Sequence, residues 1–363
     1  MNAPDRVRPL NILQVTEACG AGTLRIVDVL SQGLTERGHS VTVAHGRRPE
    51  TPTTVMNDHV RAHALDWDRR TPRAQVRTAR QLRRLASEIK PDVVHLHSTF
   101  AGLVGGLTLG GSYPCVYTAH GWASSSPRRW PLPALVGMGD RVIIRRADVV
   151  GAVSGTEADL GQGLGASQVA VVPNGIPEIE EPWTHTVRSG SAIVASGGRL
   201  VPERRPDEAA RILRELHSVA RVRWIGGGER RVEAHVAALG VEVTGWLPHA
   251  EAVEQMAGAW AYLHWSACDG QSVAVLEAMA RDVVVIASDI PANRELLSPF
   301  QLCRSPQDAV AKLRRVVEEP RLREEILGAQ RALRREHGAS RMVQGWIGVY
   351  RRAIALGSGV ASE

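Results

Sequence analysis

The chain has 363 residues, more than one hydrophobic core usually serves, so its length predicts two domains of similar size. Its apolar fraction of 44% is ordinary for a globular protein, and no apolar run approaches the ~20 residues that cross a bilayer. The segment 1–10 carries charge where a signal peptide has an apolar core, so we expect a cytoplasmic protein.

The net charge of +6 and the pI near 9.6 are compatible with nucleic acid, a membrane surface or a phosphorylated substrate as partner. The sequence contains no helix-turn-helix, zinc-finger or aromatic RNA-binding signature, which disfavours a nucleic-acid-binding protein. The cysteines are far apart, with no C-x-x-C spacing and no histidine pair at ligand spacing. We therefore expect reduced thiols, no structural zinc and no metal cofactor.

In chain order, the first half alternates short β-branched runs with helical patterns. The predicted strands are 11–15, 41–44, 92–96, 116–118, 149–152 and 169–172, and the predicted helices are 23–37, 73–89, 100–109 and 133–146. Strands and helices in regular alternation indicate a parallel sheet covered on both faces.

The predicted helix 73–89 has a basic face formed by Arg73, Arg77, Arg80 and Arg84. Two interpretations remain open from the sequence. The face is either solvated on a helix that packs against the sheet, or it contacts an anionic membrane surface or a phosphorylated acceptor.

Prolines and glutamates between 173 and 191 indicate a linker, after which the alternation restarts. We expect a first domain over 1–180, a linker over 181–191, a second domain over 192–338, and a terminal helix over 339–363 that packs across the domains. The predicted strands of the second domain are 192–196, 222–225, 241–244, 261–264 and 283–287, and the predicted helices are 207–216, 230–239, 272–281, 307–317 and 331–355.

Open parallel sheets bind ligands at the carboxyl ends of their strands, so two such domains predict a cleft between them. Glycine-rich loops follow a strand in both halves, at Gly20 and Gly22 and at 226–228. Neither loop forms G-x-G-x-x-G, which disfavours a dinucleotide dehydrogenase. The triple glycine at 226–228 is either a tight turn or a close approach of backbone to a ligand.

Asp269 and Glu277 are eight residues apart at the start of a predicted helix, which places them about 12 Å apart along its axis. The amides of Gly270, Gln271 and Ser272 between them would form an anion site at the positive end of the helix dipole. Taken alone, the pair could also be an N-cap and a surface residue.

The chain resembles retaining glycosyltransferases of family 4, whose E-x₇-E motif is followed by Ala-Met-Ala; Asp269 and Glu277 match its two acidic positions. The segment 198–204 is similar to the family's G-R-L-x-x-x-K, with Arg199 on the arginine and Arg204 on the lysine. Further matches are the segments 20–23, 120–122 and 173–176, and Ser154 with Glu157. The resemblance spans about 11 to 297 and is greatest to members that build exopolysaccharide and capsule units.

This resemblance implies the GT-B fold, an α/β architecture of two doubly wound Rossmann-like domains that face a central cleft. It implies that Glu277 holds the ribose, that Arg199 and Arg204 neutralise the diphosphate, and that His120 faces the transferred sugar. Asp269 would orient the donor sugar, which makes His120, Arg199, Arg204 and Asp269 the expected catalytic residues. The other implied donor-binding residues are Gly20, Gly22, Gly245, Trp246, Leu247, Gly270, Gln271 and Ser272, and the glycine-rich loop adds Gly226 and Gly228 as candidates.

The resemblance therefore implies transfer of a hexose or N-acetylhexosamine, with retention, from a nucleotide-diphosphate sugar, expected to be a UDP-sugar. The expected acceptor is a hydroxyl of a polysaccharide or glycolipid precursor, and no metal or other cofactor is expected. A nucleotide-sugar epimerase on the same fold and a basic nucleic-acid-binding protein remain the alternatives. This sequence departs from the family pattern at Asp269, which is shorter than Glu, and at Arg205 and Arg281-Asp282, where glycine is usual.

Overall fold

The computed structural model describes residues 8–17, 21–47, 56, 60–67, 71–126, 133–177 and 192–358. Gly20 and the predicted linker 181–191 lie outside the described residues.

The first sheet has seven parallel strands in the order β3-β2-β1-β4-β5-β6-β7. These strands are β1 (Asn11–Thr16), β2 (Ser40–His45), β3 (Arg61–Ala64), β4 (Val93–His97), β5 (Cys115–Thr118), β6 (Val149–Ala152) and β7 (Val169–Val171). The helices between them are α1 (Ala21–Glu36), α2 (Pro72–Ile89), α3 (Thr99–Leu109), α4 (Pro133–Ile144) and α5 (Gly155–Gly163). The strand order reverses between β1 and β4, the place where such sheets bind ligands.

The second sheet has six parallel strands in the order β10-β9-β8-β11-β12-β13. They are β8 (Ile193–Gly197), β9 (Arg221–Ile225), β10 (Glu242–Val243), β11 (Ala261–His264), β12 (Val284–Ser288) and β13 (Leu302–Cys303). The helices are α6 (Pro206–Arg214), α7 (Arg230–Ala238), α8 (His249–Ala257), α9 (Val273–Ala280), α10 (Pro291–Arg294), α11 (Pro306–Glu318), α12 (Pro320–Arg334) and α13 (Ala339–Gly357). The predicted fold class, two doubly wound Rossmann-like domains, is confirmed.

Several elements were not predicted because their sequences lack the usual patterns. The edge strand β3 has the sequence Arg-Ala-His-Ala, which contains no β-branched residue, and its first three residues are exposed. Helix α5 contains three glycines in nine residues and has little apolar periodicity. Pairing and packing in the tertiary structure, rather than local propensity, select both elements.

The prediction of one helix over 331–355 is wrong, because the chain breaks at Gly338. Gly338 has an extended backbone, with φ −75° and ψ 145°, and separates α12 from α13. It pairs with Ile176 on the segment that leaves the first domain: the Ala339 N–H donates to the Ile176 carbonyl at 2.8 Å. The two backbones approach so closely that position 175 has no room for a side chain, since a Cβ there would lie 2.5 Å from the Gly338 carbonyl oxygen.

Helix α13 returns the end of the chain to the first domain. Its residues Met342, Trp346 and Tyr350 are buried in the same hydrophobic core as Val116 and Val149 of the first sheet. The Trp346 ring packs directly on β6, because a Cβ at position 151 would lie 2.4 Å from it. Met342 also contacts the segment that leaves the first domain: the Gly175 N–H donates to the Met342 Sδ at 3.1 Å.

Two positions where the family usually has glycine adopt left-handed backbone here. Arg205 has φ 40° and Asp282 has φ 53°. Asp tolerates this region better than most residues, and both oxygens of Asp282 accept from Arg331, at 3.0 and 3.1 Å. The left-handed turn at the end of α9 is therefore held by an ion pair.

Across the described residues, no helix combines the length and apolar character needed to cross a membrane.

Candidate active site

A cavity of about 410 Å³ lies between the carboxyl-terminal ends of the two sheets and is lined by both domains. It brings together most of the residues that the sequence singled out. The predicted site residues that line it are Gly22, His120, Arg199, Arg204, Trp246, Asp269, Gly270, Gln271 and Ser272. Glu17, Ser98, Trp122 and Glu203, which were not among the predicted site residues, line it as well.

The remaining predicted residues lie outside the cavity lining. Gly226 and Gly228 form a tight turn against the loop 198–200, since a Cβ at Gly226 would lie 2.5 Å from the Gly198 carbonyl oxygen. Gly245 and Leu247 flank Trp246 in a loop that is accessible to solvent, since Trp246 is 45% exposed. Their contact with a donor nucleotide remains a prediction.

Arg204 is fixed by a cluster of polar groups at the end of β11. Its Nη1 donates to Asp269 Oδ2 at 2.7 Å and to Ser266 Oγ at 2.6 Å, and it lies 3.0 Å from His264 Nε2. His264 Nε2 is also 3.2 Å from Asp269 Oδ2. Burial alone would raise the pKa of Asp269, but Arg204 and His264 outweigh it and hold that pKa well below the usual value. Asp269 is therefore a carboxylate that orients a guanidinium at the cavity wall.

Asp269 is not the N-cap of α9, so that interpretation of the motif is wrong. The helix begins at Val273 with Ser272 at the N-cap position, and the Asp269 side chain accepts instead from the Gly270 N–H at 3.0 Å. Ser272 Oγ is buried and has no hydrogen-bond partner among the residues described. The residues at the start of α9 line the cavity, and the unpartnered Ser272 hydroxyl is among them, an arrangement that suits an anionic group.

His120 lies on the opposite wall, in a loop held by Glu157. His120 has φ 51° and Gly121 has φ 100°, both left-handed. The Glu157 carboxylate accepts from the Gly121 N–H at 2.5 Å and from the Val153 N–H at 2.9 Å. Burial raises the pKa of Glu157 to about 7, against the lowering effect of these two bonds. Glu157 was predicted only as a family landmark, whereas in the structure its carboxylate holds the His120 loop.

Behind His120 lies a column of histidines. His120 Nε2 is 2.9 Å from His97 Nδ1, and the centroid of the His97 ring lies 3.9 Å from that of His95, with the two rings tilted by 38°. Burial lowers the pKa of His120 to about 4 and those of His95 and His97 well below the usual value, so all three are neutral at neutral pH. The period of two in β4 puts His95 and His97 on one face, a signal that the sequence contained and that went unused.

Glu277 lies on α9, away from the cavity lining. Its side chain is 16% exposed and its Oε1 is 3.2 Å from His249 Nε2. Burial raises the pKa of Glu277 to about 7, while the positive charges of Arg25 and Arg281 act in the opposite direction. Arg25 belongs to α1 of the first domain, so the two domains meet at this carboxylate.

Further contacts join the domains around the cavity. Ser126 Oγ donates to Glu203 Oε1 at 2.9 Å, and the Asn174 N–H donates to Gln271 Oε1 at 2.6 Å. Glu295 accepts from the N–H groups of Gly155 and Thr156, both at 2.8 Å, at the start of α5. Glu295 was not predicted, because its partner is a helix 139 residues away in the sequence.

Among the described residues, no three histidine, cysteine, aspartate or glutamate side chains are grouped so that they could hold a metal ion.

Residues 21–178 match the family model described as Glycosyltransferase Family 4, and residues 178–331 match the model described as Glycosyl transferases group 1. Two Rossmann-like domains that face a shared cavity define the GT-B class. With these two matches over most of its length, the chain belongs to the GT-B glycosyltransferases.

Solved structures with the same fold extend over nearly the whole chain. HepE of Anabaena, crystallised with UDP, is 16% identical, with a TM-score of 0.73 over 94% of this chain and 99% of that one. Sucrose-phosphate synthase from Thermosynechococcus elongatus is 16% identical, with a TM-score of 0.78 over 95% and 99%. A UDP-forming trehalose-phosphate synthase from Burkholderia vietnamiensis is 14% identical, with a TM-score of 0.73 over 98% and 99%. At these identities the likeness shows the fold alone.

Proposed function

We propose that this glycosyltransferase moves a hexose or N-acetylhexosamine from a UDP-sugar to a hydroxyl-bearing acceptor, with retention of the anomeric configuration and without a metal ion. The observation that carries the proposal is the cavity itself. It sets a cationic, amide-rich wall, formed by Arg199, Arg204 and the start of α9, opposite His120 of the other domain. Such a wall suits a diphosphate, with the sugar between the domains.

In the proposed reaction the bond between the anomeric carbon and the diphosphate oxygen breaks, and negative charge grows on the diphosphate. Arg204, held in place by Asp269, and Arg199 would offset that charge, and the amides of Gln271 and Ser272 would donate to it, since the Gly270 N–H is already bonded to Asp269. The acceptor hydroxyl would attack from the face of departure and give its proton to the leaving diphosphate. No protein nucleophile takes part in this scheme.

Support for UDP comes from a relative. HepE, which shares the fold, has been crystallised with UDP and with UDP-glucose. The test is thermal stabilisation of the purified protein by UDP, GDP and dTDP, because a ligand that binds the folded state raises Tm. A rise with GDP or dTDP alone would contradict the assignment of uridine.

Stereochemistry and metal dependence are tested once a donor and an acceptor are known. Proton NMR of the fresh product reports its anomeric configuration, and an inverted product would overturn the retaining mechanism. Turnover is expected to survive excess EDTA. A tenfold loss that magnesium or manganese restores would show that a metal takes part.

An epimerase on the same fold is distinguished by omitting the acceptor. An epimerase would convert a UDP-sugar alone into its epimer, whereas the proposed transferase requires an acceptor for turnover. A basic nucleic-acid-binding protein would instead show salt-dependent affinity for DNA and none for UDP.

The proposed acceptor is a polysaccharide or glycolipid precursor, and we propose that the enzyme works in the cytoplasm with reversible contact to an anionic membrane surface. Arg73, Arg77, Arg80 and Arg84 are all exposed on α2. Vesicles of anionic lipid at low salt should retain the protein, and changing these four arginines to Gln should release it. The matched control changes four exposed arginines of the second domain, Arg214, Arg230, Arg231 and Arg321, to Gln. Equal retention of both variants would contradict the contact.

A further inference from the structure

A chain of buried hydrogen bonds runs from His120 at the cavity to the backbone of α1. His120 Nε2 is 2.9 Å from His97 Nδ1, and His97 Nε2 is 3.0 Å from Gln14 Oε1. Gln14 Nε2 donates to Ser31 Oγ at 2.9 Å, and Ser31 Oγ donates to the Val27 carbonyl at 2.6 Å. We call His120, His97, Gln14 and Ser31 the histidine relay. The last three are at most 1% exposed.

The far end of the histidine relay fixes the direction of every bond in it. The Val27 carbonyl can only accept, so the single proton of the Ser31 hydroxyl is committed to it. Ser31 Oγ must then accept from the Gln14 amide group, which turns Gln14 Oε1 toward His97. An amide oxygen can only accept, so His97 Nε2 must carry a proton.

Neutral imidazole has one N–H, so a proton on His97 Nε2 leaves His97 Nδ1 as an acceptor. His120 Nε2 must therefore be the donor in the bond between the two rings. His120 Nδ1 is then left with a lone pair, and no described residue makes a hydrogen bond to it. Because His120 lines the cavity, that nitrogen is the one available to a bound molecule.

Neighbouring groups keep His97 neutral, which the relay requires. His95 packs against His97 and is itself held by Thr118 Oγ1 and by the Tyr350 hydroxyl of α13, both at 2.9 Å. Burial, with the neighbouring histidines as a smaller effect, lowers the pKa of both rings and so disfavours a positive charge on either. Tyr350 thus connects the C-terminal helix to the rings behind the cavity.

We infer that His97, Gln14 and Ser31 are positioning residues that lock His120 in the tautomer with its proton on Nε2, so that His120 Nδ1 accepts a hydrogen bond from a hydroxyl of the transferred sugar. The hydroxyl contact rests on the proposed function, whereas the tautomer does not. A fixed acceptor distinguishes a hydroxyl, which can donate, from a substituent that cannot. The histidine relay therefore keeps His120 Nδ1 an acceptor, whereas a histidine that could change tautomer would be able to donate or accept at that nitrogen.

The tautomer is tested by NMR of the full chain with nitrogen-labelled histidine, and no substrate is needed. The His120 signals are assigned with His120→Asn. We expect Nε2 to carry the proton, Nδ1 to show the shift of an unprotonated nitrogen, and a coupling across the hydrogen bond to join His120 Nε2 and His97 Nδ1. A proton on His120 Nδ1 would overturn the inference, whatever the enzyme's substrate proves to be.

The functional part is tested with Gln14→Leu, which removes the acceptor of His97 and lets both rings exchange tautomers. We expect the coupling to disappear and kcat/KM for the donor to fall at least fivefold. The matched control is Gln301→Leu, the same change at a buried glutamine of the second domain, which should leave both readouts as in the parent. If Gln14→Leu does not fold, Ser31→Ala weakens the same end of the relay and should show both effects to a smaller degree.

Two outcomes separate the inference from the proposed function. If a folded variant loses the coupling but keeps kcat/KM within twofold of the parent, the relay is structural and the hydroxyl contact is wrong. If the parent shows the expected tautomer but turns over no sugar nucleotide, the proposed function fails and the tautomer assignment stands.

Discussion

Arg204 and Asp269 form an ion pair at the cavity wall, with Nη1 and Oδ2 2.7 Å apart. The side chains are 25% and 15% exposed, so water screens the pair only in part. Ser266 and His264 complete the coordination of the same Nη1. Asp269 therefore orients the Arg204 guanidinium. We expect Asp269 to affect a bound donor through Arg204.

Asp269→Asn should destabilise the fold by roughly 1.5–3 kcal/mol, the range for a hydrogen bond to a charged group. The pKa of Asp269 is lowered in the folded state, so its contribution is complete above the usual aspartate pKa and is lost as pH falls through the folded value. The deficit in thermal unfolding should thus be constant from neutral pH to mildly acidic pH. Asp159→Asn, at an exposed site on α5, is the control; equal Tm for Asp269→Asn and the parent would contradict the pairing.

Replacing Arg199 or Arg204 by Ala should reduce turnover roughly 30- to 1000-fold, because removing a group that stabilises charge in the transition state costs ~2–4 kcal/mol. The double variant should lose less than the product of the single effects, since both groups act on one charge. Nucleotide release is measured after circular dichroism confirms folding. Single variants within about threefold of the parent would show that these arginines do not contact the leaving group.

Glu277→Gln should weaken UDP binding above neutral pH by roughly 1.5–3 kcal/mol, if the carboxylate holds the ribose hydroxyls. The pKa of Glu277 is about 7, so the carboxylate is charged above that pH and protonated below it. Affinity in the parent should therefore rise with pH through 7 by more than it does in the variant, which retains only the titration of UDP itself. Calorimetry at two pH values gives both numbers, and parallel pH curves would exclude Glu277 from the ribose site.

Glu295→Ala should loosen the contact between the domains, because Glu295 makes three hydrogen bonds at 2.6–2.8 Å to the start of α5. Its side chain is exposed, so the change should cost about 1 kcal/mol. We expect a larger radius of gyration in small-angle X-ray scattering and a higher KM for the donor. Glu319→Ala, at a glutamate paired only within its own domain, should change neither quantity. An unchanged radius in Glu295→Ala would refute the role.

The sequence by itself determined the two-domain fold and most of the cavity. Alternation of β-branched runs with amphipathic helices specifies parallel sheets, because both faces of each strand must be buried. The segments that carry Arg204 and Asp269 follow strands of the second sheet, whose carboxyl ends share one edge, and the segment that carries His120 follows a strand of the first sheet. Local patterns were therefore sufficient to place each residue at the ligand-binding edge of its own sheet, and the packing of the two domains brings His120 opposite the other two.

Only the tertiary structure decided which groups hold these residues. Glu295 and Thr156, His120 and His97, and Tyr350 and His95 are distant in sequence, and no periodicity relates them. The break at Gly338 and the return of α13 to the first domain depend on the close approach of two backbones, which no local pattern records. Hydrogen-bond direction in the histidine relay likewise follows from the whole buried chain of donors and acceptors, because each group's role is fixed by the next.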